Sequence, residues 1–282
     1  MKKAEIIIAS VGLLALGVMA YLLATRHKRT DEVLSGRLLY APQCLTVDAR
    51  GHLYVANEAR RDGGALVAKV SPKGQVSVCA DRLPHVSALA ADAQGNLYAA
   101  TGLGEVLKIT PDGTAAKALQ DIPTGECSLA FDPQGRLHVV NSRVNVIYRV
   151  AENGRPEPLE IGCFSAGGMA FDRAGNLFIV SKSPGLVLKF EAGGEARVFA
   201  DVRGATCLAM DRLSHLYVGA VDSLGGTVYR LDPSGRTKSV VARKVGRVRS
   251  LALSPNGTLY VSSDMMGGVR AIHVGTPGLI LP

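Results

Sequence analysis

The sequence predicts an all-β fold, a six-bladed β-propeller preceded by one transmembrane helix. One pattern occurs six times: an apolar pair, a carboxylate or its stand-in, a turn and an aromatic-rich strand. The copies are LTVDARGHLYVAN from Leu45, LAADAQGNLYAAT from Leu89, LAFDPQGRLHVVN from Leu129, MAFDRAGNLFIVS from Met169, LAMDRLSHLYVGA from Leu208 and LALSPNGTLYVSS from Leu251. A period of about 40 residues built of short strands is typical of a propeller with one blade per repeat.

Each repeat also has a second half, in which a strand with a basic residue ends at a glycine turn. Examples are LVAKVSPKG from Leu66 and EVLKITPDG from Glu105. The period-two apolar runs of both halves predict four strands per blade. Glycine stands at the first turn of five repeats, where a positive φ is needed, but blade five has Ser214 there. We therefore expect the turn of blade five to differ.

The sixth repeat has no outer strand of its own, because the chain stops seven residues after Gly275. Blades one to five each continue into such a strand, for example QVSVCADRL from Gln75. The segment VLSGRLLYAP, from Val33 to Pro42, precedes blade one in the position that an outer strand has before every later repeat. Residues 33–40 are therefore expected to close blade six, which would leave no open sheet edge.

Residues 6–24 form an uncharged apolar run, IIIASVGLLALGVMAYLLA. A helix of this length spans roughly 28 Å at about 1.5 Å per residue, close to the thickness of a bilayer core. A cleaved signal peptide is the alternative, but its apolar core usually has about 7 to 15 residues. We expect residues 1–30 to be an uncleaved single-pass anchor in a bacterial inner membrane. Residues 31–282 would form the propeller on the periplasmic side, because a long following domain is usually translocated.

Composition limits the partners of the propeller. The formal net charge is +8, but half of it belongs to residues 1–30, so the propeller is only mildly basic. Nucleic-acid binding is therefore not expected. The five cysteines show no CxxC or other metal spacing, and we expect buried, unpaired thiols.

One stretch is strongly basic, since no acidic residue lies between Asp232 and Asp264. Together with the flank of the apolar run, it supplies eight side chains for contact with anionic lipid or an acidic partner. These are Arg26, Lys28, Arg29, Arg236, Lys238, Arg243, Lys244 and Arg247. Each basic residue contributes about 1 kcal/mol close to an anionic membrane. The alternative is a solvated edge strand that its charges protect from aggregation.

The repeat pattern D-x-x-G-[NRH]-L-[YFH]-[VI], followed by a basic strand and a P-x-G turn, resembles known propeller families. It is similar to NHL repeats and to the SMP-30/gluconolactonase/strictosidine-synthase-like group of six-bladed propellers. The resemblance covers Val33 to Val274. It implies the fold but leaves the activity open, because this architecture carries lactonases, lyases, synthases and binding modules.

The hydrolytic members of that group hold a divalent metal over the central tunnel with Glu, Asn and Asp, five residues before the repeat carboxylate. The metal polarises a lactone carbonyl and a water. The matching positions here are Gln43, Ser87, Cys127, Gly167, Thr206 and Arg249. None is a carboxylate, so the resemblance implies neither a metal nor another cofactor. All but the glycine are kept as candidate ligands at the tunnel mouth. Glu126 lies one residue out of register and is expected on the other side of its strand.

No other catalytic arrangement is evident in the sequence. The pattern G-x-S-x-G of a serine nucleophile does not occur. His52, His138 and His215 occupy repeat positions that other blades fill with other residue types, which indicates surface or packing roles. The repeat carboxylates stand at a turn position where Asp commonly bonds its own backbone. We therefore assign no catalytic residue from the sequence.

These observations favour a membrane-anchored, non-catalytic propeller, an accessory subunit of a larger integral membrane complex. The anchor, the short linker to blade one and the missing metal carboxylates support this expectation. The alternative is a diverged hydrolase or lyase of the gluconolactonase or strictosidine-synthase-like type, acting at the mouth of the central tunnel.

Overall fold

The computed structural model describes most of the chain from residue 31 onward. The described ranges are 31–58, 64–119, 121–144, 146–151, 154–159, 165–191, 196–223, 225–264 and 267–281. They contain short strands and no helix. In chain order the strands are β1 (Asp31–Leu34), β2 (Pro42–Val47), β3 (Leu53–Asn57), β4 (Ala65–Val70), β5 (Val76–Leu83), β6 (Val86–Ala91), β7 (Leu97–Thr101), β8 (Val106–Ile109), β9 (Ala115–Leu119), β10 (Cys127–Phe131), β11 (Leu137–Asn141), β12 (Val146–Val150), β13 (Pro156–Leu159), β14 (Ala166–Phe171), β15 (Leu177–Ser181), β16 (Leu186–Phe190), β17 (Ala196–Asp201), β18 (Ala205–Met210), β19 (Leu216–Ala220), β20 (Thr227–Leu231), β21 (Lys238–Arg243), β22 (Val248–Leu253), β23 (Thr258–Ser263) and β24 (Val269–His273).

The strands form six four-stranded antiparallel sheets, one for each sequence repeat. Blade one is β2–β5, and blades two to five follow as β6–β9, β10–β13, β14–β17 and β18–β21. Blade six is β22–β24 completed by β1. The first strands of the blades contact one another in order around a ring, and β22 contacts β2 to close it. The prediction of an all-β, six-bladed propeller is confirmed.

The fourth strand of blade six comes from the N-terminal side of the propeller. Strand β1 runs antiparallel to β24, with Leu34 opposite Val269. Its bounds differ from the expected residues 33–40, because the chain leaves the sheet at Ser35 and turns, with the Leu39 amide donating to the Gly36 carbonyl at 2.9 Å. Leu39 is buried in the apolar cluster between blades six and one.

The hydrophobic core lies between neighbouring blades. Each of six apolar clusters joins two adjacent sheets, as where Val55 of blade one packs with Val269 of blade six. The central strands β3, β11, β15 and β19 are buried along their whole length. Both faces of these strands meet another blade, so apolar residues fill consecutive positions instead of alternate ones.

The tunnel at the centre of the ring has two distinct ends. The first strand of every blade begins at one end, here called the mouth end. Each first strand ends at the opposite end of the tunnel, in the D-x-x-G turn that leads into the second strand. This end is here called the turn end. In blade six, Ile272 pairs with Leu259 and, on its other side, with Asp31. Because Leu259 pairs with Leu253 beside the turn, the chain joins the propeller at the turn end.

The repeat turns are closed by their carboxylates. The Asp48 carboxylate accepts hydrogen bonds from the amides of Arg50 and His52 at 3.0 and 2.8 Å. In blade five, Ser214 adopts a φ of +62° and donates its amide to the Asp211 carbonyl at 3.0 Å. The expectation of a different turn in blade five is therefore wrong, because serine takes the left-handed conformation that glycine has elsewhere.

The predicted anchor, residues 1–30, lies outside the described residues. Within the described part of the chain, no helix is long and apolar enough to cross a membrane.

Candidate functional site

A cavity of about 390 Å³ opens at the mouth end of the tunnel. The structure brings every position that corresponds to a metal ligand of the resembling hydrolases to its lining. These are Gln43, Ser87, Cys127, Gly167, Thr206 and Arg249. The positions that the resemblance implied therefore lie in the lining of one cavity, while the role of these side chains as ligands stays a prediction.

β-Bulges turn most of these positions towards the cavity. In five blades, the register between the first and second strands shifts at this point. The shifts fall between Pro42 and Cys44, Val86 and Ala88, Ala166 and Met169, Ala205 and Cys207, and Val248 and Ser250. A bulge leaves the extra residue unpaired in the ladder and re-aims its side chain. Blade three has no bulge, and Cys127 pairs directly with Asn141.

Two of the candidate hydroxyls tie neighbouring blades together. Ser87 Oγ in blade two accepts a hydrogen bond from the Cys127 amide in blade three at 3.3 Å. Thr206 Oγ1 in blade five lies 2.9 Å from the carbonyl oxygen of Val248 in blade six. Both hydroxyls therefore brace the rim of the tunnel, and neither is poised as a nucleophile.

The thiols in the cavity lining are unreactive. Burial raises the pKa of Cys127 to about 11 and that of Cys207 to about 12. The pKa of Cys44 is also raised by burial. The four cysteines in the described ranges are free, and Cys163 lies outside those ranges. The three lining cysteines are thus protonated at neutral pH, and a neutral thiol is a poor nucleophile and metal ligand.

Lys182 and Glu126 form the first charged pair of the cavity. Lys182 Nζ lies 3.4 Å from Glu126 Oε2. The expectation that Glu126 points to the other side of its strand is wrong, because β10 begins only at Cys127 and Glu126 belongs to the preceding loop. Gly167 leaves room for the lysine, since a Cβ there would lie 3.2 Å from Lys182 Cε. The alternation of side chains along a strand could not have predicted the position of Glu126 or Lys182, because both residues lie outside the strands.

Two arginines supply the remaining charge. Arg247 Nε and Arg249 Nη2 lie 3.7 and 3.9 Å from the same oxygen, Oδ2 of Asp264. Both arginines line the cavity. Arg247 was predicted as an outer contact for lipid or an acidic partner, but it lies at the mouth of the tunnel.

The other basic residues of the same stretch do not form one surface. Lys238 opens β21 opposite Leu231 at the turn end, with Arg236 in the turn before it. Arg243 ends β21 at the mouth end, about 16 Å away for five residues of strand, and Lys244 follows it. Arg26, Lys28 and Arg29 lie outside the described residues. Contact of these residues with a membrane or an acidic partner stays a prediction.

His85 completes the polar lining, and no motif in the sequence pointed to it. It lies in the loop between β5 and β6, where its carbonyl accepts the Gly102 amide at 2.9 Å. Its ring is exposed at the cavity and packs near Gly102, which lacks a side chain that would compete for the space. Imidazole is the side chain most often used as a general acid or base in catalysis, so His85 is the candidate for proton transfer in this cavity.

The lining does not fit a divalent metal ion. A hard cation such as Ca²⁺ needs several oxygen ligands, usually with carboxylates among them. Glu126 is the only carboxylate among the described residues of the lining, beside Lys182, Arg247 and Arg249. The described residues also hold no group of three or more His, Cys, Asp or Glu side chains that could bind a metal. The cavity therefore suits an anion better than a cation.

At the turn end, the repeat carboxylates and histidines satisfy each other. Asp132 Oδ2 lies 3.0 Å from His138 Nε2, and Asp211 Oδ2 lies 3.0 Å from His215 Nδ1. Burial lowers the pKa of His138 although Asp132 opposes this. For Asp132, burial acts to raise the pKa, but hydrogen bonds from Arg136 and His138 outweigh it and hold the pKa below its ordinary value. These groups close turns and pack blades, as expected from the sequence.

The C-terminal segment lies across the turn end of the tunnel. The Gly278 and Leu279 amides donate to the carbonyls of Ser254 and Met210, both at 2.9 Å. Leu279 packs against the cluster of blades four and five, and Leu281 against that of blades three and four. These residues line a second cavity of about 210 Å³ together with all six first strands, and most of the lining residues are apolar in type. The charged cavity at the mouth end is therefore the one suited to polar chemistry.

Comparisons with known proteins identify the fold. No family model and no curated protein matches the sequence. Many solved structures match this chain, among them the following three. A structural-genomics target provisionally assigned as a gluconolactonase matches with a TM-score of 0.72 at 18% identity, over 89% of this chain and 93% of its own. A gluconolactonase from Xanthomonas campestris matches with 0.70 at 15%, over 88% and 89%. Regucalcin, a calcium-binding protein from Agrobacterium tumefaciens, matches with 0.69 at 20%, over 89% and 95%.

The prediction of a non-catalytic accessory subunit is contradicted by these neighbours. Gluconolactonases share the fold of this chain across nearly the whole propeller. This favours the enzymatic alternative, a diverged activity at the mouth of the central tunnel. The resemblance to the SMP-30/gluconolactonase group is thereby confirmed at the level of the fold.

Proposed function

We propose that this protein is an enzyme that opens the ring of a small lactone by hydrolysis at the mouth end of the tunnel. The observation that carries the proposal is the cavity of about 390 Å³ whose lining includes Lys182, Glu126 and His85. Gluconolactonases have the same propeller fold. The reaction must differ in mechanism from a metal hydrolase, because the lining does not fit a divalent ion.

In the proposed reaction, His85 acts as the general base. It removes a proton from water while the water oxygen bonds to the lactone carbonyl carbon. Lys182 donates to the carbonyl oxygen as negative charge develops there, which is the usual source of stabilisation in acyl transfer. The ring carbon–oxygen bond then breaks, and the proton on His85 passes to the leaving alkoxide. The product is a hydroxy acid, and Glu126 orients Lys182 through their contact at 3.4 Å.

The test is ring opening of a panel of γ- and δ-lactones by the full-length protein in excess EDTA. We expect turnover that persists in EDTA and falls about 100-fold in His85→Asn, a loss typical of removing a general base. His273→Asn is the matched control, because His273 lies at the turn end. Absence of turnover across the panel, or turnover that EDTA abolishes, would overturn the proposal.

We further propose that residues 1–30 anchor the enzyme as a single-pass segment in a bacterial inner membrane, with the propeller on the periplasmic side. The apolar run at residues 6–24 supports this. Asp31 joins the propeller at the turn end, so an anchor before it would leave the mouth end facing away from the lipid. Carbonate extraction of native membranes is the test: an anchored protein stays in the pellet, and release into the supernatant contradicts the anchor.

A further inference from the structure

We infer that the substrate carries an anionic group, a carboxylate or a phosphate, which Arg247 and Arg249 hold beside the reacting ester. This inference rests on the proposed function and names the class of substrate for the same site. Neutral sugar lactones would then be poorer substrates than lactones that bear a charged oxyacid group.

The charge of the cavity is the first support. Among the described residues of the lining, three cations stand against the single carboxylate of Glu126. That carboxylate already lies beside Lys182 Nζ, at 3.4 Å. The two arginines thus leave an excess of positive charge in a concave site, where such a field attracts and retains anions.

The geometry of the two arginines is the second support. Both approach one oxygen of Asp264, at 3.7 and 3.9 Å, which is longer than a hydrogen bond. Their side chains are 67% and 42% exposed. A single carboxylate oxygen at such distances cannot satisfy two guanidinium groups, each of which has five N–H donors in a planar fork. This fork matches the oxygens of a carboxylate or phosphate in a bidentate manner.

The backbone that carries the arginines is held firmly, which distinguishes them from surface arginines on a loose loop. Val248 stands between them and is 2% exposed, packed in the cluster of blades five and six. Its carbonyl accepts the Thr206 hydroxyl at 2.9 Å. Arg249 itself occupies the bulge between Val248 and Ser250. The two guanidinium groups therefore extend from a fixed base on the rim of the cavity.

The experiment measures binding without turnover. Isothermal titration at low ionic strength is carried out on the full-length protein with inorganic phosphate and, separately, with D-gluconate. The test variant is Arg247→Gln/Arg249→Gln. The matched control is Arg236→Gln/Lys238→Gln, which removes the same charge at the turn end. We expect saturable binding of one or both anions to wild type and control, weakened at least tenfold in the test variant.

Equal binding by the test and control variants would overturn the inference, because net charge alone would then explain it. Lack of saturable binding to wild type would also overturn it. The two arms separate phosphate from carboxylate recognition, since the anion that the arginines prefer should bind wild type more tightly and lose more affinity in the test variant. The outcome is independent of the proposed hydrolysis. Anion binding without lactone turnover would contradict the hydrolysis and support the anion site. Turnover without anion binding would support the hydrolysis and contradict the anion site.

Discussion

The two ends of the tunnel are built from the same six repeats, but they differ in how constant the residue types are from blade to blade. At the turn end, five blades have an aspartate and the sixth has Ser254, whose hydroxyl accepts the Thr258 amide at 3.0 Å as the carboxylates do elsewhere. At the mouth end, the six equivalent positions carry six different residue types. The regular end closes blades, and the irregular end has the freedom to hold chemistry. The predictions below probe this division, beginning with the largest expected effect.

Removing a repeat carboxylate should cost the most stability. Asp132 is 2% exposed and accepts the amides of Gln134 and Arg136 and a contact from His138. Asp132→Ala removes the acceptor for these donors, of which the His138 ring is buried, and we expect the free energy of unfolding to fall by about 2–4 kcal/mol. Urea denaturation at pH 7 measures the loss. An exposed turn carboxylate, Asp112→Ala, is the control, and equal effects from both variants would contradict the division.

At the mouth end, the expected loss is in rate instead of stability. Lys182→Met keeps the length of the side chain but removes its charge, and we expect kcat/KM for the best lactone to fall about 100-fold, or about 2.7 kcal/mol. Unfolding should change by less than about 0.5 kcal/mol. Lys189→Met, in strand β16 of the same blade, is the control. Unchanged turnover in Lys182→Met would remove the lysine from the mechanism.

The C-terminal segment offers an intermediate effect at the turn end. Leu279 packs against the cluster of blades four and five, so Leu279→Asp should lower the free energy of unfolding by about 1–2 kcal/mol through lost apolar burial. Lactone turnover should persist, because the segment lies at the other end of the tunnel. The matched control is Leu213→Asp, at a leucine that is 59% exposed. If both variants unfold alike, the segment does not seal the turn end.

The smallest effect concerns the pH dependence of stability. Burial keeps the pKa of His138 below its ordinary value, so on acidification the unfolded chain binds a proton before the folded one. Stability is therefore full above the unfolded pKa of about 6.5 and falls as pH drops towards the lowered folded pKa, by at most about 1.4 kcal/mol per pH unit.

His138→Tyr tests this dependence while preserving the local bond. Tyr54 occupies the equivalent position in blade one, where its hydroxyl donates to the Asp48 carboxylate at 3.2 Å. We expect chemical denaturation between pH 6.5 and 5 to show a shallower loss of stability in the variant. The charged neighbours Asp132 and Arg136 are common to both proteins. Identical pH profiles would show that His138 does not titrate in this range.

The sequence predicted the regular part of the molecule well and the irregular part poorly. The six repeats and the four strands of each blade follow from local periodicity, whereas the positions that reach the tunnel follow from the resemblance to the gluconolactonase group. Glu126 was misplaced because strand alternation was extended one residue beyond the start of β10. Lys182, Arg247 and His85 come from loops between strands, and only the closed ring brings them together. The bulges have no local signature beyond the repeat, so their effect on Arg249 required the structure.

A crystal structure of the full-length protein with the hydroxy acid product of its best lactone would show directly where the reaction takes place. We expect the new carboxylate to lie at the mouth end, within hydrogen-bonding distance of Lys182 Nζ. The charged substituent should contact the guanidinium groups of Arg247 and Arg249. A product bound at the turn end, or held by a metal ion that Gln43 and Glu126 ligate, would contradict it.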